Sequence, residues 1–407
     1  MSKLEELIAA LCPDGVEYKE LNEIGIMVRG NGLQKKDFTD GGVGCIHYGQ
    51  IYTYYKNFAD ETKSFVSLEN AKKLKKVTCG DLIIAITSEN TEDVCKCVAW
   101  LGDNEIVTGG HTAIFKHNQD SKYLVYCLQT EEFFAQKKKI VSGTKVIEVS
   151  PKKLENVKIP LPPLEIQREI VRILDNFTEL IAELIAELKA RKKQYEYYLE
   201  KMIYNPAWTV GTILDMLEQP ITDGPHETPT FVEKGVPFIS VESICDSKID
   251  LNKKRGFITK EYDDVCARKY KPKRNDVYMV KSGSTTGKVA IVDFDEDFNI
   301  WSPIAAMRTN GDNHPRFLYH LLKSKAIQTQ VLKKASHGSQ PNLGMRELEK
   351  FIVHIPSLFE QQRIVGILDR FDALCNDLTM GLPAEIEARQ KQYEYYRDKL
   401  LSFKEKK

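Results

Sequence analysis

The sequence predicts an α+β chain in which two tandem, pseudo-symmetric globular domains are separated by two long helices packed as an antiparallel coiled coil. Three observations lead there. The chain repeats itself: KQYEYY stands at 193–198 and again at 391–396, and IQREIVRILDNF (166–177) returns as EQQRIVGILDRF (360–371). After each proline-rich segment, apolar residues alternate at spacings of four and three, the seam of a coiled-coil helix. Short apolar runs bounded by turn residues fill the remainder, as in the strands of a mixed domain. The 407 residues exceed what one hydrophobic core usually serves.

The repeat sets the order of elements. ILD falls at 173–175 and at 367–369, an offset of 194, and GVGCIHYGQI (42–51) aligns with GVPFISVESI (235–244) at an offset of 193. Gly80-Asp81-Leu82-Ile83 aligns with Asn275-Asp276-Val277-Tyr278, and Gly143 with Gly338. A period this long marks a duplicated domain rather than a solenoid. The expected division is a first globular domain over 1–158, a central helix over 159–204, a second globular domain over 205–354 and a C-terminal helix over 355–407. DLIIAI (81–86), DVYMV (276–280) and KVAIV (288–292) read as strands, and FLYHLLKSKAIQTQVL (317–332) reads as one helix. Pro160, Pro162, Pro163 and Pro356 precede the long helices, a start signal.

The first long helix is expected from about 165 to 203, with Ile170, Leu174, Phe177, Ile181, Leu184, Leu188, Arg191, Tyr195, Tyr198 and Met202 on its seam. At 1.5 Å per residue it measures about 57 Å. The second seam runs Ile364, Leu368, Phe371, Cys375, Leu378, Leu382, shifts to Ile386, and resumes at Arg389, Tyr393, Tyr396 and Leu400. Phe to Gln spans 17 residues in one copy (177 to 194) and 21 in the other (371 to 392). The four extra residues make a stutter, and Gly381-Leu382-Pro383 falls within it, where a kink or break is expected. The seam tyrosines belong to the inter-helix core. Arg191 and Arg389 are expected to pair with glutamates of the opposite helix or to snorkel. Gln194, Glu196 and Tyr197, with Gln392, Glu394 and Tyr395, point elsewhere yet are kept in both copies. They form a candidate docking face presented twice.

Bulk properties exclude some classes. Basic and acidic residues balance at 58 each, but KKLKK (72–76), KKK (137–139), KKR (253–255) and RKYKPKR (268–274) are local basic patches. No apolar run approaches the ~18 residues of a membrane span. The start, MSKLEELIAALC, has acids in its apolar stretch and no cleavage pattern, so it is not read as a secretion signal. Nine scattered cysteines contain no C-x-x-C pair, which points to reduced thiols in the cytoplasm and to no metal site.

Motifs that could carry chemistry fall short of it. SGSTTGKVA (282–290) leaves three residues between Gly283 and Gly287, where a phosphate loop needs four, and Val289 replaces the required hydroxyl. YNPAW (204–208) lacks the second proline of an adenine-methyltransferase pocket and reads as a linker. DGPHETP (223–229) carries Asp223, His226 and Glu227, but its counterpart around RGNGLQKKDF (29–38) does not, so no catalytic residue is assigned. These loops suit contact with DNA better. The second domain offers His226, Lys281, Ser282, Ser284, Thr285, Thr286 and Lys288 as donors to phosphates and base edges. The first offers Lys35, Lys36, Tyr48, Gln50, Tyr54, Lys56 and Asn57, with Tyr52 and Tyr55 among them. The same tyrosine-rich stretch is equally readable as a strand with tyrosines turned inward.

The segments LPPLEIQREIVRILDNF, IPSLFEQQRIVGILDRF, ELIAELIAEL (179–188), RKKQYEYY and RQKQYEYY carry a resemblance that covers the whole chain. It resembles the specificity subunits of type I restriction–modification systems. The resemblance implies that the globular parts are target-recognition domains and that the chain is non-catalytic. It implies double-stranded DNA as ligand, two modification subunits carrying adenine N6 methylation, and restriction subunits with translocase and nuclease. S-adenosylmethionine, ATP and magnesium would belong to those partners, with no cofactor in this chain. The DNA site would be bipartite and asymmetric, with an unread spacer set by the helix pair. One IAEL step changes the helix by about 6 Å. Two other readings stand beside it: a stand-alone enzyme acting on DNA, and a coiled-coil assembly scaffold without DNA contact.

Overall fold

The structure, a computed structural model, describes residues 2–245, 248–336, 341–377 and 380–406. The chain forms two compact units: Met1–Ala182 together with Ala388–Lys407, and Glu183–Glu387. Gly338 and Leu378, both named in the repeat, lie outside the described residues.

The first unit is built on β1 (Gly25–Arg29), β2 (Phe58–Ala59), β3 (Leu82–Ala85), β4 (Cys97–Trp100) and β5 (Thr112–His117). They form one sheet in the order β1-β5-β3-β4-β2, antiparallel except for the parallel β4–β2 pair. Every residue of β3 and β4 is buried, which is why LIIA and CVAW are apolar throughout rather than alternating. A short helix α1 (Tyr48–Thr53) follows the strand Val43–Ile46, which pairs in parallel with Ile106–Thr108 in a second sheet. Helix α2 (Ser121–Cys127), capped by Asp120, lies after β5, and α3 (Leu164–Met202) begins after the strand Lys158–Pro160.

The second unit repeats this plan. Strands β6 (Thr222–Asp223), β7 (Val277–Val280), β8 (Val289–Ile291) and β9 (Ile304–Met307) make an antiparallel sheet in the order β6-β9-β7-β8, the same order without the edge strand. Val236–Ile239 pairs in parallel with Asn299–Ile300, as Val43–Ile46 does with Ile106–Thr108. The aligned Gly80 and Asn275 both adopt left-handed backbone, φ 94° and 73°, before an aspartate that accepts a backbone N–H three residues upstream at 2.8 Å. Glycine and asparagine are the residues that tolerate this conformation most readily.

The segment 317–332 is two helices rather than one: α4 (Pro315–Lys323) and α5 (Lys325–Lys334). Ser324 between them is extended, and its hydroxyl accepts the N–H of Ile327, so a capping serine ends one helix and starts the next. Beyond them lie α6 (Leu358–Asn376) and α7 (Leu382–Leu400). The helix breaks where the four extra residues fall. A β-carbon on Gly381 would come within 2.6 Å of the carbonyls of Ala373 and Asp377, so the tight turn needs glycine. Pro383 then sits in the first turn of α7, where a missing N–H costs no helical bond.

Within each unit one part of α3 packs antiparallel on a C-terminal helix. Phe177 stacks on Tyr396 in the first unit, ring centroids 5.5 Å apart, and Tyr198 stacks on Phe371 in the second, 5.4 Å apart. The partners are exchanged between the copies, as a two-fold repeat requires. Two expectations are corrected. Tyr195 and Tyr393 also reach into the globular part of their own units. The Tyr195 hydroxyl lies 3.0 Å from His320 Nδ1 on α4, and that of Tyr393 donates to Gln129 Oε1 at 3.2 Å. Arg191 pairs with Glu187 on its own helix, one turn away, and donates to Gln194, because i,i+3 and i,i+4 partners are the nearest available.

Each long helix is also clamped at its start by a glutamine with no exposed surface. Gln167 donates to the Pro162 carbonyl (2.8 Å) and Gln119, and accepts the Asp120 N–H. Gln361 does the same with Pro356 (3.0 Å), Asn313 and His314.

Candidate nucleic-acid interface

In the second unit the site is organised around Asp223, at the end of β6 and 1% exposed. A buried carboxylate requires partners that compensate its lost hydration. Lys281 Nζ lies 3.3 Å away, His226 Nε2 3.4 Å away, and the Lys269 ammonium is bonded to it directly. Gly224 lets the chain turn out of the sheet: a β-carbon there would lie 1.8 Å from the Ile300 carbonyl. Ser302 N–H then donates to Pro225 (3.2 Å) and Lys281 N–H to Pro303 (2.9 Å). DGPHETP, the 281–288 turn and the segment 301–303 are thereby held in one place.

The turn joins β7 to β8, strand to strand, rather than strand to helix as a phosphate loop does. Gly283 and Gly287 are left-handed (φ 105° and 96°), and Thr286 Oγ1 donates to the Gly283 carbonyl at 2.7 Å. Ser284 and Lys288 are exposed at the rim, Ser282 and Thr285 are half-buried, and His226 is exposed. Lys281 is nearly covered by its pairing with Asp223, so it fixes loop position rather than offering a free charge.

The first unit uses the same device with different side chains. Gly30 leaves β1 where a β-carbon would lie 2.0 Å from the Gly109 carbonyl. Lys35 and Lys36 stand exposed in a short 3-10 turn, Lys35–Asp37. Tyr48 lies with its ring centroid 4.6 Å from that of His47 and 4.7 Å from that of His111. His111 Nδ1 is 3.1 Å from Thr87 Oγ1. Burial, with the charge of Lys35, holds the His47 imidazole below its usual pKa.

The stretch 48–57 is not a strand. His47 caps α1: its Nδ1 accepts the Gly49 N–H (3.2 Å), and its own N–H donates to Gln50 Oε1 (3.0 Å). Gln50 also donates to Ser64 (2.7 Å), and Asn57 accepts from Gln129 (2.8 Å) beside Tyr393. Both amides are thus occupied inside the unit, which removes them from the exposed candidate face. Tyr52 and Tyr55 likewise bond backbone groups of Thr87 and Lys63. Tyr54 is 55% exposed beneath the Lys63 ammonium, and Lys56 is exposed. Spacing alone does not reveal His47, His111 and Lys269. The last lies in the basic run RKYKPKR, the only signal that marked it.

On the helices, Glu196 and Glu394 are exposed, and Tyr197 and Tyr395 are 59% and 61% exposed. Their surroundings match: each lies edge-on to the next tyrosine (5.4 and 5.3 Å), with Lys201 or Lys399 over the ring (5.7 and 5.8 Å). Gln194 and Gln392 are half-buried and each accepts from the arginine three residues before it, at 2.9 Å.

Residues 13–191 and 208–388 each match the family described as type I restriction modification DNA specificity domain. The Escherichia coli EcoR124I/EcoR124II specificity subunit is 36% identical over 261 residues, which is 60% of this chain and 63% of that protein. This chain thus spans less than two thirds of that relative's length. A Haemophilus influenzae protein assigned as a type I restriction enzyme specificity subunit is 32% identical over 313 residues, 72% of this chain and 75% of its own length. The fold matches the S subunit of a type I system from M. genitalium at TM-score 0.56 (15% identity, 95% of this chain and 96% of that one). It also matches a chain from a study of type I R-M complex assembly at TM-score 0.61 (18% identity, 96% and 98%). The chain belongs to the type I restriction–modification DNA specificity family, with two copies of the family's domain in tandem.

Proposed function

We propose that the chain is the DNA-recognition subunit of a type I restriction–modification complex, non-catalytic itself, and that each unit reads one half of a bipartite, asymmetric double-stranded site. The observation that carries this reading is the duplicated loop cluster. In both units a close-approach glycine (Gly30, Gly224) turns the chain out of the same sheet position, while the side chains around it differ. A shared frame with divergent rims suits two different half-sites, whose base edges are read by side-chain donors. The first unit's rim presents Lys35, Lys36 and Tyr48; the second presents His226, Ser284 and Lys288, backed by Lys281. Two modification subunits, one on each exposed Glu-Tyr pair (Glu196-Tyr197 and Glu394-Tyr395), fit the duplicated face, and restriction subunits join the whole. S-adenosylmethionine, ATP and magnesium belong to those partners, and the complex works in the cytoplasm.

The test combines salt and spacing. Affinity for duplex DNA should fall steeply with salt as phosphate contacts are lost. Deleting Ile181–Leu184 should change the preferred gap and leave both half-sites as they were. Salt-independent affinity, or an unchanged gap, counts against the proposal.

A further inference from the structure

We infer that Arg255, braced on the ring of Trp301, reads a guanine in the half-site of the second unit. The inference rests on the DNA-recognition reading above and adds a specificity-determining residue to it.

The two residues are brought together by one strand. Arg255 N–H donates to the Phe238 carbonyl (2.9 Å) and Trp301 N–H to the Ile239 carbonyl (3.0 Å), so Val236–Ile239 lies between them. The Arg255 guanidinium carbon sits 4.1 Å from the Trp301 ring centroid. Arg274, Arg308, Arg316 and Arg363 each meet a carboxylate at 2.6–2.7 Å. Arg255 is exposed, and among the described residues no carboxylate lies within ion-pair distance of it. Its fork of N–H donors is oriented by stacking and otherwise unspent.

The brace borders the loop cluster directly. A β-carbon on Gly224 would lie 3.0 Å from Trp301 Cα, and the next residue, Ser302, bonds Pro225. Among the described residues the buried indole N–H of Trp301 has no acceptor. An orphan donor is costly, and phenylalanine would avoid it. Tryptophan's advantage over phenylalanine is the stronger platform for a cation. A phosphate can be held by a flexible lysine acting as a point charge as well as by an arginine fork. A guanine O6/N7 edge offers two acceptors side by side, which an oriented fork meets with two donors at once.

The test uses the assembled complex of full chain and modification subunits. Sequences it selects from duplexes randomised across the site are read at constant salt for wild type, Arg255→Lys and Trp301→Phe. Wild type should select a guanine at one position that the variants relax. In Arg255→Lys, discrimination at that base pair should fall on the order of tenfold or more, with the other half-site unchanged. Trp301→Phe should relax the same position to a lesser degree. Unchanged selection in Arg255→Lys, or uniform weakening across all sequences, overturns the inference; the second outcome makes Arg255 a phosphate contact. A wild-type complex that selects no sequence overturns the DNA-recognition reading itself.

Discussion

Replacing Tyr195 and Tyr197 by alanine, one at a time, separates packing from docking on a single turn of α3. Tyr195 is 7% exposed, lies edge-on to His320 at 6.1 Å, and carries a hydroxyl 3.0 Å from that imidazole's Nδ1. Removing a buried aromatic ring costs about 3–5 kcal/mol. The stranded His320 nitrogen adds about 1 kcal/mol or more. For a unit of this size that lowers the melting temperature by roughly 10 °C or more. Tyr197 is 59% exposed, with its ring beside Tyr198 and under Lys201, so its loss should cost about 0.5 kcal/mol. If Tyr197 anchors a partner, its truncation should weaken binding by about 2 kcal/mol, roughly 30-fold. Calorimetric melting reads the first quantity, and titration with the modification subunit, followed by native mass spectrometry, reads the second. Tyr197→Ala should leave the melting temperature within about 2 °C of wild type and lose one bound partner. The repeat predicts the same contrast between Tyr393 and Tyr395. A Tyr197→Ala chain that melts as early as Tyr195→Ala yet binds two partners normally would refute the docking face.

Other perturbations test the frame. Gly224→Ala forces a β-carbon onto the Ile300 carbonyl, and Gly30→Ala onto that of Gly109. Each should abolish selection of its own unit's half-site while sparing the other, as read by binding to sites with one half scrambled. Gln361→Leu strands the His314 N–H and the Pro356 carbonyl, at about 2–4 kcal/mol. Gln167→Leu should destabilise the first unit comparably, both checked by denaturant unfolding. His320 supplies a pH dependence. Its environment comprises Asp369, Asp372, Arg316, Lys323 and Tyr195, and burial, outweighing the Asp369 hydrogen bond, keeps its pKa below the usual value. The unfolded chain therefore binds the proton more readily, and this contribution is present above about pH 6.5 and lost as pH falls below it. His320→Tyr installs the residue found at the equivalent Tyr126, and should flatten the fall in melting temperature between about pH 7 and about pH 5.5.

The periodic features were legible because local rules set them. Two domains, the α3 boundaries and the break before Pro383 follow from repeats, heptads and a proline, each visible in a short window. The reading of 317–332 as one helix failed because a single serine, well suited to cap a helix, outweighed sixteen residues of helical pattern. Tyr48–Asn57 was ambiguous because tyrosines favour strands as well as faces, and what decided it was a histidine cap outside the pattern. The sites were least legible. Asp223 meets Lys269 and Lys281, and Arg255 meets Trp301, through strand pairings 46 to 58 residues apart in sequence. No spacing rule reaches that far. Helical position alone points Gln194 and Gln392 outward, whereas an arginine three residues earlier holds each against the helix.

Genome-wide methylation mapping in cells carrying this chain with its modification subunit tests the central claim most directly. The account predicts a split, asymmetric motif modified at adenine, with a fixed unread gap. An intact complex that leaves no such motif, or one that modifies a single continuous sequence, would contradict it.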